Sequence, residues 1–292
     1  MFYVGETIKG KWNNNEYLIL EKLGQGGIGY VYKVRDKLGN VKGLKISDDI
    51  NSITREFENM KKCKTIGIVP SVYEIDDYKR YRKTFHFFIM DYIYGYNLKQ
   101  IMTKTNINLK DILGICIIIL KNLKKIYELG YIYSDIKLEN IMIDKNNRKI
   151  YLVDFGGLID KEFGIKEYTP TYSIASWGIK LKHDYSTSMI FSVNMLMTSM
   201  ILRKEFSPMI ESIKDIVENL NKLSLDSKFK RIIINGLYGR LNDTDEYILK
   251  LKQLVYNKDK LNAKTSIDFI DIFFKGSIFL FGIVLIICAK NL

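Results

Sequence analysis

The chain has 292 residues, enough for one large hydrophobic core or two small ones. A hydrophobic share of 47% argues against a disordered chain, and three prolines with no repeat period argue against low-complexity and solenoid classes. Lysine and arginine number 45 against 33 aspartates and glutamates, a formal charge of +12, but pairs such as Lys61-Lys62 and Lys124-Lys125 are scattered and no recognition motif accompanies them, so no nucleic-acid partner is expected.

The first residues, 1–6, have neither a basic region nor an apolar core, so no signal peptide is expected. Residues 17–23 (YLILEKL) read as a strand, a glycine cluster follows, and 30–34 reads as a second strand. Asp36-Lys37-Leu38-Gly39-Asn40 has the composition of a hairpin turn before a third strand at 41–46. Ile53, Phe57 and Met60 recur at helical spacing and predict a helix over 53–63. Residues 84–92 (TFHFFIMDY) read as a strand, and 109–129 as a long, largely apolar helix. Short strands are predicted near 141–142 and 150–153, then helices at 188–202, 209–220 and 247–256. Strands dominate the first third and helices the rest, which implies an α+β chain segregated into two lobes. Cys63, Cys116 and Cys288 are far apart and cannot all pair, so they read as free thiols of a reducing compartment. His86 and His183 belong to no Cys/His cluster.

Four segments carry chemistry. Gly24-Gln25-Gly26-Gly27-Ile28-Gly29 lies between two predicted strands, where glycines let backbone N–H groups approach a phosphate chain. A flexible hairpin would look the same, but a dinucleotide-binding turn would need a helix next, and Tyr30-Val31-Tyr32-Lys33-Val34 is β-rich. Lys45 follows in the third strand, with Glu56 on the next helix as its candidate partner. Asp135-Ile136-Lys137-Leu138-Glu139-Asn140 and then Leu152-Val153-Asp154-Phe155-Gly156 supply two carboxylates, a lysine and an amide. Such groups can orient a substrate hydroxyl and hold Mg²⁺.

In this order and near these spacings, the four segments resemble the eukaryotic-like (Hanks-type) serine/threonine protein kinase family, from about residue 17 to the last helices. The leader Gly5-Glu6-Thr7-Ile8 resembles the start of bacterial members. The resemblance implies a two-lobed fold with a small β-rich N-lobe (1–92) and a larger helical C-lobe (93–256). It implies ATP and Mg²⁺ as cofactors and proteins as substrates. Gly24, Gly26 and Gly29 would cover the phosphates. Lys45 would contact the α- and β-phosphates and pair with Glu56, which fits the family spacing better than Glu58. Asp135 would be the catalytic base, Lys137 would steady the γ-phosphate, and Asn140 and Asp154 would bind Mg²⁺. Met90-Asp91-Tyr92-Ile93 resembles the hinge, with backbone groups of Asp91 and Ile93 bonding adenine. Leu23, Val31, Gly43 and Met142 would line the adenine pocket or serve as ordinary core.

The chain departs from the family in places. Tyr133-Ser134 stands where His-Arg is usual, which removes the partner of a phosphorylated activation segment. Thr169-Pro170-Thr171-Tyr172 resembles the substrate-docking segment, with the Thr169 hydroxyl able to bridge Asp135 and Lys137. Ile174-Ala175-Ser176 replaces Ala-Pro-Glu. Phe191-Ser192 is in place on the next helix, and an aspartate aligns there only loosely, as Asp184. An active enzyme has a chemical need for Lys45, Asp135, Asn140 and Asp154 together; a membrane-tethered pseudokinase or nucleotide-binding scaffold is the alternative.

The end of the chain is distinct. Residues 257–268 read as a polar linker and 269–290 as a transmembrane tail, which would hold the kinase domain on the cytoplasmic face of a membrane. Residues 276–289 carry no charge; extended back to Ile272 the stretch is about 27 Å as a helix, against a hydrocarbon core of roughly 30 Å.

Overall fold

Alternation of apolar side chains builds the first lobe. The computed structural model describes residues 2–27, 29–163, 169–180 and 185–256. Six strands form an antiparallel sheet in the order β1-β2-β3-β4-β6-β5: β1 Thr7–Lys9, β2 Glu16–Gly26, β3 Gly29–Asp36, β4 Val41–Ser47, β5 Val72–Arg80 and β6 Lys83–Asp91. Tyr17 and Ile19, Tyr32 and Val34, Leu44 and Ile46, and Phe87 and Ile89 point to one face and close a core with Phe2 and Ile8. Lys45 and Phe88 are register partners on the opposite face, and that face receives α1 (Ile50–Lys62).

The expected strands and the first expected helix are present, with ends that differ from the expected ones by up to three residues. The Asp36 carboxylate accepts from the N–H groups of Leu38 and Asn40 and closes the β3–β4 turn, where Gly39 takes a φ of 88°. Asp49 caps α1 by accepting from Asn51 N and Ser52 N, which moves its start back to Ile50. β5 has no counterpart in the sequence reading. Its acids, Glu74, Asp76 and Asp77, break the apolar pattern, yet Asp76 is buried and accepts from the N–H groups of Trp12 and Asn13.

The second lobe is helical. β7 (Gly95–Asn97) leads into α2 (Leu98–Lys104), a short helix with an Asn97/Gln100 capping box that also escaped the sequence reading. α3 (Leu109–Glu128) buries Ile112, Leu113, Cys116, Ile119, Leu120 and Leu123 along one face. β8 (Tyr131–Tyr133) pairs with β11 (Leu158–Asp160), and β9 (Ile141–Asp144) lies between β7 and β10 (Ile150–Leu152). α4 (Tyr185–Leu202), α5 (Ile213–Asn221), α6 (Ser227–Leu237) and a helix over 244–256 complete the lobe.

The helix predicted over 209–220 begins at Ile213 instead. Ser212 and Asp215 form its capping box, and Met209 and Ile210 lie exposed before it. α4 is apolar on every side, and by length and composition it could cross a membrane, but 78% of it is buried inside the protein. It is the central core helix of the lobe. Asp184 and the whole of 257–292, with the linker and tail predicted there, lie outside the described residues.

Candidate active site

The site lies where the sheet, α1 and the β8–β11 segments meet. Gly26 and Gly29 face each other at the tip of the β2–β3 hairpin. A Cβ on Gly29 would come within 2.4 Å of the Ile46 carbonyl oxygen, so only glycine permits this close strand approach. A Cβ on Gly24 or Gly26 would meet nothing within 4 Å, which leaves open space along the loop.

Lys45 points from β4 toward α1, where helical periodicity places Glu56 and Asn59 on the same buried stripe as Ile53 and Met60. Lys45 Nζ lies 2.5 Å from Glu56 Oε2 and 3.7 Å from Asp154 Oδ1. Burial acts to depress the Lys45 ammonium, but the Glu56 and Asp154 carboxylates outweigh it and the net shift is upward. Burial pushes the Glu56 carboxyl up, opposed by Lys45 and reinforced by Asp154. Both shifts favour the protonated form, which supports the Lys45 ammonium but works against the Glu56 carboxylate. Two carboxylates face one ammonium, so Lys45 stays charged and the burial penalty falls on Glu56.

Asp135 follows β8 and is held from several sides. Lys137 Nζ lies 2.6 Å from its Oδ2, and the Asn140 amide nitrogen donates to the same oxygen and to the Asp135 carbonyl, each at 2.9 Å. Thr169 Oγ1 donates to Oδ1 at 2.8 Å. The Thr169 hydroxyl and the Lys137 ammonium thus meet on opposite oxygens of one carboxylate. Asn140 is linked onward through its carbonyl, which accepts from Val153 N at 2.8 Å, directly before Asp154. Asp154 has a φ of 66°, an uncommon left-handed conformation for a residue with a side chain, and its carboxylate stays partly exposed.

Aromatic packing fixes this turn. Tyr133 meets Phe155 edge-on at 5.2 Å and donates its hydroxyl to the Val153 carbonyl at 2.7 Å. Ser134, in the place of the usual arginine, donates to the Gly157 carbonyl at 2.6 Å. Asn59 was missed by sequence reasoning. Its amide donates to the carbonyls of Phe155 at 2.9 Å and Leu158 at 3.3 Å, tying α1 to the segment after Asp154. Its only sequence signal is a polar residue on an apolar helical stripe.

Of the expected adenine contacts, the Asp91 N–H donates to the Ser71 carbonyl at 2.9 Å, and its carboxylate accepts from Ser71 N and the Tyr73 hydroxyl. The Asp91 N–H and carboxylate are thus already engaged within the protein. Ile93 is buried, and its carbonyl accepts from Gly95 N. Gly43 packs so closely that a Cβ would meet Met90 Cγ at 3.1 Å. Val31 pairs with both Gly24 and Lys45 across the sheet, Leu23 is largely exposed on β2, and Met142 is half-buried on β9.

The family model of the protein kinase domain matches residues 17–267. The chain belongs to the protein kinase family. This kinase is 31% identical over 247 residues to the serine/threonine-protein kinase YabT of Bacillus subtilis (strain 168), covering 83% of this chain and 72% of that protein. It is 35% identical over 112 residues to the probable serine/threonine-protein kinase fnkB of Dictyostelium discoideum, covering 38% of this chain and 20% of that one. It is 26% identical over 175 residues to the B1 kinase of vaccinia virus (strain Copenhagen), covering 53% and 56%. Two-lobed architecture and ATP-dependent chemistry follow from the family.

Proposed function

We propose that this chain transfers the γ-phosphate of ATP to serine and threonine hydroxyls of proteins. The observation that carries the reading is the Asp135 carboxylate, gripped by Lys137, Asn140 and Thr169 beside the Lys45–Glu56–Asp154 cluster. Similarity to serine/threonine kinases, one of them across 83% of the chain, supports that choice of acceptor.

The roles follow from chemistry. Asp135 orients the acceptor hydroxyl and takes its proton as the bond to phosphorus forms. Lys137 places a positive charge beside that carboxylate, where the transferred phosphoryl group arrives. Lys45, fixed by Glu56, offers its ammonium to the α- and β-phosphates. Gly24 and Gly26 leave room for the phosphate chain, and the Asp91 carbonyl and Ile93 backbone lie at the adenine end. The donor set also fits Mg²⁺: the Asn140 nitrogen is spent on Asp135, which leaves its amide oxygen, and Asp154 offers carboxylate oxygens. When bound, the cation neutralises charge on the β- and γ-phosphates. A scaffold has no chemical need for this set, which speaks against the pseudokinase alternative.

The test is incubation of the chain with labelled ATP and Mg²⁺. Wild type labels itself or generic protein substrates, and Asp135→Asn and Asp154→Ala lose several orders of magnitude in rate. Equal labelling by all three proteins would sink the enzyme reading.

We also infer that the chain is anchored to a membrane by its C-terminal tail, with the catalytic lobes (1–92 and 93–256) on the cytoplasmic side. The support is compositional: residues 276–289 are uncharged and apolar on all sides, and Lys258, Lys260 and Lys264 precede them. Fractionation of the full chain beside a version ending at Lys264 tests this. The full chain is expected in a carbonate-resistant membrane pellet and the shortened one in the supernatant; both in the supernatant would refute the anchor.

A further inference from the structure

Two carboxylates from distant parts of the chain converge on one lysine beside the acceptor site. Lys99 Nζ lies 2.6 Å from Glu139 Oε1 and 2.7 Å from Glu205 Oε2. Glu139 immediately precedes Asn140, whose amide donates to Asp135. Glu205 follows α4 and accepts from the hydroxyl of buried Tyr172 at 3.2 Å. Tyr172 in turn lies three residues after Thr169, which donates to Asp135. Both glutamates are therefore anchored, by chain or by hydrogen bond, to the segments that grip the base.

Lys99 is the second residue of α2, the helix end at which a cation is disfavoured. Its position is thus set by the two glutamates rather than by the helix. Their hydrogen bonds hold its ammonium well above the usual lysine range. Lys99, Glu139 and Glu205 keep 45%, 35% and 29% of their side-chain surface exposed, so a polypeptide lying across the site can reach them.

We propose that Lys99 is a specificity-determining residue: its ammonium fills, from within the chain, a two-carboxylate seat that would otherwise take a basic side chain of the substrate polypeptide. This rests on the protein-kinase reading above. Lys99 itself demonstrates the chemistry of the seat, a cation bridging two carboxylates. An incoming arginine or lysine has to displace an intramolecular ammonium that costs no association entropy. The wild-type enzyme therefore selects weakly for basic residues near the acceptor. Without Lys99 two uncompensated carboxylates face the peptide, and the planar fork of an arginine can bridge them.

The experiment uses the full chain, labelled ATP, Mg²⁺ and a library of serine-centred peptides in otherwise degenerate sequence. Members compare arginine with alanine at each position within four residues of the serine. The readout is the arginine-to-alanine ratio of kcat/KM. It is expected near one for wild type at every position. In Lys99→Met, and again in Lys99→Gln, it rises roughly five- to tenfold at one or two positions, through KM. Adding Glu139→Gln or Glu205→Gln abolishes the rise, and so does high salt. Unchanged ratios in both variants overturn the proposal. So does a wild type that already prefers arginine as strongly, or loss of all peptide labelling in both variants, which would make Lys99 part of the catalytic machinery. A wild type that labels itself but no peptide also counts against the seat. A wild type that labels nothing beyond an Asp135→Asn control overturns the kinase reading itself.

Discussion

At the scale of single residues, the Lys45–Glu56 pair has the sharpest energetic consequence. Both side chains are buried, and removing one partner of such a pair typically costs about 3–5 kcal/mol because the other charge is stranded. In Lys45→Met, Glu56 keeps its burial and its Asp154 neighbour and loses the one group that lowers its pKa by charge. Its folded-state pKa is then raised further above the unfolded value. A carboxyl raised in this way contributes stability below its unfolded pKa and loses it as pH rises through the folded pKa. Lys45→Met should therefore be more destabilised, relative to wild type, at pH 8 than at pH 5 in urea unfolding. The double variant Lys45→Met/Glu56→Leu should lack that slope. A single-variant deficit that is flat with pH would mean Glu56 is not the stranded charge.

At the scale of elements, a buried polar arrangement inside the large lobe joins three helices. Asn194, in the middle of α4, donates to the Ile233 carbonyl on α6 and accepts from the hydroxyl of Tyr247 at 2.7 Å. A Cβ on Gly236 would lie 2.3 Å from the Asn194 amide nitrogen, so α6 comes this close only because residue 236 is glycine. Gly236→Ala is expected to destabilise by about 1–3 kcal/mol through overpacking. A cycle with Asn194→Ala, measured by denaturant unfolding, should give a favourable coupling, because the shortened side chain makes room. Strict additivity would place the strain elsewhere. What was legible in the sequence divides along the same line. Asp135 to Asn140 lie within six positions, and β2, β3, β4, α1 and α3 carry clean periodicity, so local pattern sufficed for them. β5 hid because its buried Asp76 is satisfied by backbone N–H groups more than sixty residues away. Asn59, and the meeting of Lys99 with Glu139 and Glu205, stayed hidden because tertiary approach alone creates them.

At the scale of the whole molecule, the segments around the base are tied together within the large lobe without a phosphate. Ser134 spends its hydroxyl on the Gly157 carbonyl, Thr169 on Asp135 and Thr171 on the Phe206 carbonyl at 2.7 Å. A phosphate on either threonine would remove its bond, and on Thr169 it would set negative charge beside the Asp135 carboxylate. Phosphatase-treated enzyme should retain its basal rate in a labelled-ATP assay, and Thr171→Glu should not raise it. A large loss on dephosphorylation, restored when that segment is rephosphorylated, would reverse this view.

The central helix α4 has a consequence for synthesis. From Tyr185 to Leu202 it carries no charged residue, so a nascent chain presents it to insertion machinery with the signature of a spanning segment. Its packing partner α3 has already left the ribosome by then, whereas α5, α6 and the helix over 244–256 are still to come. Of the long helices that pack on it, α3 is the one available to cover the segment at that stage. A fragment that starts after α3 loses that protection, and the same eighteen residues that hold the finished enzyme together would steer it into lipid or into aggregates.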